Sequence, residues 1–184
     1  MSDARERVRE HLLAHSVRRG EFTLKSGRTS SWFIDSKMTI CAPEVMVDVA
    51  SLVLEELSDD VNAIGGMTMG ADGVSFITAA VAATRGRMLR AFSIRKETKD
   101  HGAGGRVAGV LKAGDRVVMT EDTVTRGTTL MDAVQVVRDA GAEVALVLAV
   151  VDRGGSVAAM AAQEGLPFVA LFSAPDLGFS FEGA

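Results

Sequence analysis

Glu121 and Asp122, followed by Thr123-Val124-Thr125-Arg126-Gly127-Thr128-Thr129, are the residues of this sequence best suited to chemistry. The β-rich run Arg116–Thr120 precedes them, and Met131, Val134 and Val137 follow at helical spacing. The carboxylates therefore sit at a strand end, and the Thr/Gly run leads into a helix N-terminus. Such a loop presents backbone N–H groups and hydroxyls to an anion, helped by the helix dipole. Two carboxylates would repel a phosphate placed beside them, but they suit a sugar diol or a hydrated Mg²⁺ next to it. The stretch reads as a grip for ribose 5-phosphate. The alternative is a plain strand-to-helix turn with Thr128 as N-cap.

Three further segments carry reactive or charged groups. Arg95-Lys96-Glu97-Thr98-Lys99-Asp100-His101-Gly102-Ala103-Gly104-Gly105-Arg106 holds four bases against two acids, in a chain of net charge −4. A glycine-rich cationic flap suits a departing pyrophosphate, with His101 as a proton donor to it; a solvated hairpin tip is the other reading. Phe22-Thr23-Leu24-Lys25-Ser26-Gly27-Arg28 leads into Ser31-Trp32-Phe33-Ile34-Asp35. A lysine beside aromatics can stack on and polarise a planar anionic ring, although such aromatics also serve as core. Asp152-Arg153-Gly154-Gly155 closes the apolar run Val144–Val151. Arg153 there can grip a carboxylate bidentately, or form an exposed pair with Asp152.

Other patterns are set aside. Gly65-x-x-x-x-Gly70 continues Ala71-Asp72 rather than Lys-Ser/Thr, and no G-x-G-x-x-G follows a strand. His11 and His15 have the spacing of a metal pair but no third ligand. Cys41 is expected to be a small buried thiol, and the nine methionines core filler.

The elements that must position these groups alternate. Helices are expected over Asp3–Arg18, from Pro43 to Leu57, and over Asp72–Thr84, Thr128–Ala140 and Ser156–Gln163. Short strands are expected over Phe22–Leu24, Ser31–Asp35, Val61–Gly65, Met88–Ile94, Arg116–Thr120, Val144–Val151 and Pro167–Phe172, with Leu177–Ala184 a strand or a loose tail. The order predicts an α/β fold with a mostly parallel central sheet flanked by helices. Ligands in such sheets bind beyond the carboxyl ends of the strands. The 184 residues fit one domain. A mildly acidic chain argues against nucleic acid or an anionic membrane as partner. One cysteine fits a reducing compartment. The longest run without Asp, Glu, Lys or Arg is the 12 residues from Gly73 to Thr84, too short to span a bilayer. The N-terminal residues lack the apolar core of a signal peptide. A cytoplasmic location is expected.

Val117 to Thr129 resembles the phosphoribosyl pyrophosphate-binding motif of type I phosphoribosyltransferases. FTLKSGRTSSWFID and IRKETKDHGAGG, with VVDRGG, narrow the resemblance to the orotate phosphoribosyltransferase family over about residues 20 to 155. The resemblance implies a Mg²⁺-dependent transfer of ribose 5-phosphate from phosphoribosyl pyrophosphate (PRPP) to orotate, giving orotidine 5′-phosphate and pyrophosphate in pyrimidine biosynthesis. It implies a single domain over residues 1–184, with an N-terminal hood over about 1–40 and a core over about 41–175. Glu121 and Asp122 would hold the ribose hydroxyls, and Thr123 to Thr129 (Thr123, Val124, Thr125, Arg126, Gly127, Thr128, Thr129) would wrap the 5′-phosphate side. Arg95, Lys96, Lys99 and His101 would bind the pyrophosphate end. Lys99 and His101 would act on the neighbouring subunit of a homodimer and, with Asp122, carry catalysis. Arg153 would clamp the orotate carboxylate, with Thr125, Lys25 and Phe33 around the base. PRPP, rather than protein ligands, would hold most of the Mg²⁺.

The chain departs from the family pattern at three points: Ala71-Asp72 stands where a Tyr-Lys pair is common, Arg126 where a small residue is usual, and Ile34 where a second aromatic is frequent. Two other readings remain: a phosphoribosyltransferase for another base, which would leave Arg153 no carboxylate, and a non-catalytic nucleotide-sensing regulator, which could dispense with the flap.

Overall fold

A computed structural model of the chain describes residues 3–23, 27, 29–99 and 105–182; within them the side chains of Thr98 and Lys99 are left undescribed. Apolar runs buried on both faces form the central strands, as a parallel sheet requires. β3 (Ala63–Met67), β6 (Arg116–Val124) and β7 (Glu143–Asp152) are of this kind, flanked by the less buried β4 (Arg90–Lys99) and β8 (Phe168–Ser173). With β5 (Gly105–Gly109) they make a six-stranded sheet in the order β5-β4-β3-β6-β7-β8. All neighbours run parallel except β4 and β5, which pair antiparallel as an edge hairpin.

Side-chain alternation splits the core into two layers. Val118, Leu146, Leu148 and Val150 pack with α1 (Asp3–His11), α3 (Met46–Glu55) and α4 (Gly70–Thr84). Val117, Met119, Val144 and Val147 face the other way, onto Leu130, Val134 and Val137 of α5 (Thr128–Asp139) and Val157 and Ala161 of α6 (Val157–Gln163). A separate two-stranded sheet, β1 (Val17–Thr23) with β2 (Thr29–Ile34), precedes the short α2 (Lys37–Ile40). Trp32 and Ile34 of β2 join the first core layer.

The expected α/β fold is present, with local corrections. The first helix continues from α1 as a π-helical stretch over Leu12–Ser16 and ends there, because Val17 and Arg18 pair with Ile34 and Phe33 in β1. Met88 lies outside β4 and is exposed. Pro43 precedes rather than opens α3, which begins at Met46. Leu177 ends a 3₁₀ turn over Pro175–Leu177, and residues 179–182 have no strand partner. Cys41 is exposed, since it follows the buried Ile40 at the end of α2 and turns outward. Met38, Met69 and Met88 are exposed too, so methionine is core filler only in part, as at Met67 and Met119.

Candidate active site

The carboxyl ends of β3, β6 and β7 open onto one cleft of about 1100 Å³. Met67, Thr68, Met69 and Gly70 line it from the loop after β3, residues 121–130 from the end of β6 and the loop to α5, and Arg153 from the end of β7. Arg18, Phe22, Thr23 and Phe33 of the two-stranded sheet supply another wall, with Lys37 of α2 and Lys96 of β4.

Burial of Glu121 and Asp122 to 9% and 7% exposure follows from their place inside the sheet rather than after it, since β6 runs on to Val124. Burying two adjacent carboxylates requires partners. Asp122 Oδ2 accepts from the Lys37 ammonium and from Ser36 Oγ at 3.2 Å, and Oδ1 accepts from the Thr123 N–H at 2.8 Å. Glu121 accepts only a 3.3 Å bond from the Asp122 N–H among the described residues. Burial first, and then the charge of Asp122, push the Glu121 carboxyl up to about 8. Burial works against the Lys37 ammonium, but its bond to Asp122 and the nearby carboxylates outweigh that and raise its pKa. At neutral pH the Glu121 carboxyl is therefore held largely in its protonated form. One member can donate to a sugar hydroxyl and the other accept from it. Gly70 permits this arrangement, because a Cβ there would collide with Glu121 Oε1 and stand 2.8 Å from Asp122 Oδ1.

The loop beyond turns at Gly127, whose φ of +79° suits glycine. The first backbone bond of α5 runs from the Met131 N–H to the Gly127 carbonyl at 3.0 Å, and no side chain caps the helix. Thr128 is therefore not an N-cap. The N–H groups at the start of α5 are left at the cleft wall, as an anion site needs. Arg126 is exposed and lines the cleft, so it adds a positive charge beside that helix end.

The structure resolves several paired readings. Asp152 and Arg153 are both buried and do not pair with each other: Asp152 accepts the N–H groups of Gly154 and Gly155 at 3.0 and 2.9 Å. Phe22 and Phe33 face each other with centroids 5.8 Å apart in the cleft wall, whereas Trp32 is core. The described part of the basic segment lies on the antiparallel pair β4 and β5, and Lys96 lines the cleft. Arg95 is turned onto the hairpin, near the carbonyls of Gly105 and Val107, and does not line the cleft. Lys25, His101 and the side chain of Lys99 lie outside the described residues. Asp72 is held by Thr68 Oγ1 at 2.7 Å and Ser93 Oγ at 2.6 Å, and Ala71 is buried, so neither replaces a Tyr-Lys pair. Ile34 is buried in the core. The rings of His11 and His15 lie 4.3 Å apart, tilted by 38°, and the described residues hold no group of three or more His, Cys, Asp or Glu able to bind a metal.

Sequence reasoning missed Lys37, Arg18 and Thr23 as cleft residues. A lysine at the start of a four-residue helix gives no local signal; only the tertiary fold carries it to Asp122.

No protein-family model matches the chain. An orotate phosphoribosyltransferase of Bradyrhizobium sp. is 40% identical over 178 residues, covering 94% of this chain and 96% of that protein. A phosphoribosyltransferase structure from Corynebacterium diphtheriae superposes with a TM-score of 0.85 at 31% identity, covering 97% of this chain and all of that one. The orotate phosphoribosyltransferase of Mycobacterium tuberculosis, solved with 5-phospho-α-D-ribosyl 1-diphosphate, gives a TM-score of 0.80 at 30% identity over 96% of this chain and 99% of that one. With the buried carboxylate pair, the uncapped helix end and Arg153 in one cleft, this likeness along nearly the whole chain shows that the protein belongs to the orotate phosphoribosyltransferase family.

Proposed function

We propose that the cleft binds PRPP and orotate together and transfers the ribose 5-phosphate to the base, supplying orotidine 5′-phosphate for pyrimidine biosynthesis. The observation that carries this reading is the buried Glu121–Asp122 pair lining one cleft with the uncapped N-terminus of α5. Residues 125–129 and the start of α5 take the 5′-phosphate. Glu121 and Asp122 take the ribose hydroxyls, and Lys37 holds Asp122 in place. Phe33, Thr125 and Lys25 surround the orotate ring, and Arg153 takes its carboxylate.

In the transfer, the bond from the anomeric carbon to pyrophosphate oxygen breaks, the bond from that carbon to the orotate ring nitrogen forms, and the proton on that nitrogen is released, balancing the one that the leaving pyrophosphate takes up. An oxocarbenium-like ribosyl centre lies between them, as in glycoside cleavage. No protein nucleophile is required: the chain positions two substrates and excludes water, which would otherwise hydrolyse the activated sugar. Arg95, Lys96, Lys99 and His101 belong to the pyrophosphate end, and His101 supplies a proton to the leaving group. Glu121 and Asp122 suit a hydrated Mg²⁺, which the oxygens of PRPP itself would mainly hold. When bound there, Mg²⁺ neutralises developing charge on pyrophosphate. The active form is a homodimer in which Lys99 and His101 serve the neighbouring cleft. Residues 1–40 act as a hood over the core of 41–175, and the protein works in the cytoplasm without nucleic acid or membrane.

The test is loss of orotate absorbance in the presence of PRPP and Mg²⁺, with adenine, hypoxanthine and uracil in parallel. Rapid Mg²⁺-dependent consumption of orotate alone is expected. Turnover of another base would overturn the role of Arg153, and PRPP binding without turnover would favour a regulator.

A further inference from the structure

Arg153 enters the cleft wall already held from behind by the C-terminal segment. Its Nη2 donates to Ser30 Oγ at 2.8 Å, to the Trp32 carbonyl at 2.9 Å and to Glu182 Oε2. The other oxygen of Glu182 accepts from Ser30 Oγ, and the Glu182 N–H donates to the Arg153 carbonyl at 2.9 Å. The side chains of this pair are 8% and 18% exposed. Aromatic rings fix the same segment: Phe179 stacks on Trp32 at 4.4 Å with planes 10° apart, and Phe181 lies against Gly155. The guanidinium itself stands over Trp32, 5.0 Å from the ring centroid.

Glu182, Ser30 and Trp32 do not line the cleft, whereas Arg153 does. The contacts thus engage one corner of a planar fork that has five N–H donors. Its Nε is buried and, among the described residues, without a partner. Buried to that degree, Nε is closed to a ligand as well, which leaves the Nη1 amino group as the free donor. We propose that Glu182 is a positioning residue for base specificity: it locks the Nη2 corner of Arg153 so that Nη1 is held for a carboxylate on the incoming base. This inference rests on the reading of Arg153 as the carboxylate clamp. It assigns the C-terminal segment a part in selecting the substrate.

The experiment measures KM for orotate and for PRPP, and kcat, in Glu182→Ala, Glu182→Gln and Arg153→Ala. Loss of a charge-assisted lock predicts that Glu182→Ala raises the orotate KM about tenfold or more while the PRPP KM stays within about twofold. Glu182→Gln, which keeps an acceptor of the same length, recovers most of that loss. A general loosening of the fold would instead raise both KM values together, and that result overturns the proposal. So does an orotate KM that is unchanged or lower in Glu182→Ala; a lower value would mean that the tail carboxylate competes with the substrate. Should Glu182→Ala fail to fold, Glu182→Asp, one methylene short of Arg153, carries the same expectation and the same contradiction. An unchanged orotate KM in Arg153→Ala would overturn the clamp itself. A raised value there, with Glu182→Ala at the wild-type level, would overturn the role of the tail alone.

Discussion

A carboxyl group that holds its proton to about pH 8 is the least ordinary residue of this protein, and its cause is burial beside a second carboxylate. The consequence for binding is electrostatic: with Glu121 neutral, the pair repels a nearby 5′-phosphate less than two carboxylates would. The consequence for stability follows by linkage. The usual value of the group is 4.5, so between about pH 4.5 and about 8 the folded state binds a proton that the unfolded chain does not. Its contribution to stability is complete below about pH 4.5 and is lost as the pH rises to about 8. Urea unfolding at a series of pH values should show wild-type stability falling across this window, and falling less in Glu121→Gln. Equal pH slopes for the two proteins would contradict the assignment. The Glu-Asp pair was legible in the sequence because strand-rich residues run straight into it. Its protonation was not, because that depends on where β6 ends and on the reach of Lys37.

At the scale of elements, the strands and helices with clear periodicity were read correctly in kind. β6, β7 and β8 are apolar runs, and α4 and α5 show inward stripes, so burial on one face or both is written into their composition. The edge hairpin was harder. β4 continues through the charged residues up to Lys99, and β5 is a short glycine-bounded strand. Phe92 and Ile94 bury the first half of β4, but its charged continuation and β5 have no apolar pattern and are held by their pairing. β1 is similar: Val17-Arg18-Arg19-Gly20-Glu21 forms a strand through its partner β2. Arg106, at the second position of β5, pairs with Asp132 of α5 at 2.6 Å, and the proposed role of Lys99 and His101 puts them at a cleft. If that cleft belongs to a neighbouring subunit, Lys99→Ala and Asp122→Asn should complement each other. Each variant alone should be nearly inactive. Their mixture, after subunit exchange, should regain activity in hybrid dimers that join an intact cleft to an intact hairpin. A mixture no more active than the sum of its parts would place Lys99 in the cleft of its own chain.

For the whole molecule, the parallel order β4-β3-β6-β7 brings three loops that are far apart in sequence to one edge, as the rule for open α/β sheets requires. The sequence showed which loops these would be. It could not show that the 179–182 segment folds back onto Arg153, since nothing local links Glu182 to Ser30 across 152 positions. Under the proposed function no nucleophile is needed, because one wall would take the sugar phosphate and another the base, with the basic segment at the leaving group. Transfer without hydrolysis is therefore the central claim. The most direct measurement is ³¹P NMR of the protein with PRPP and Mg²⁺, first without and then with orotate. PRPP should stay unchanged without orotate, and equal amounts of orotidine 5′-phosphate and pyrophosphate should form once it is added. Ribose 5-phosphate formed in place of the nucleotide, or no pyrophosphate released at all, would contradict the claim.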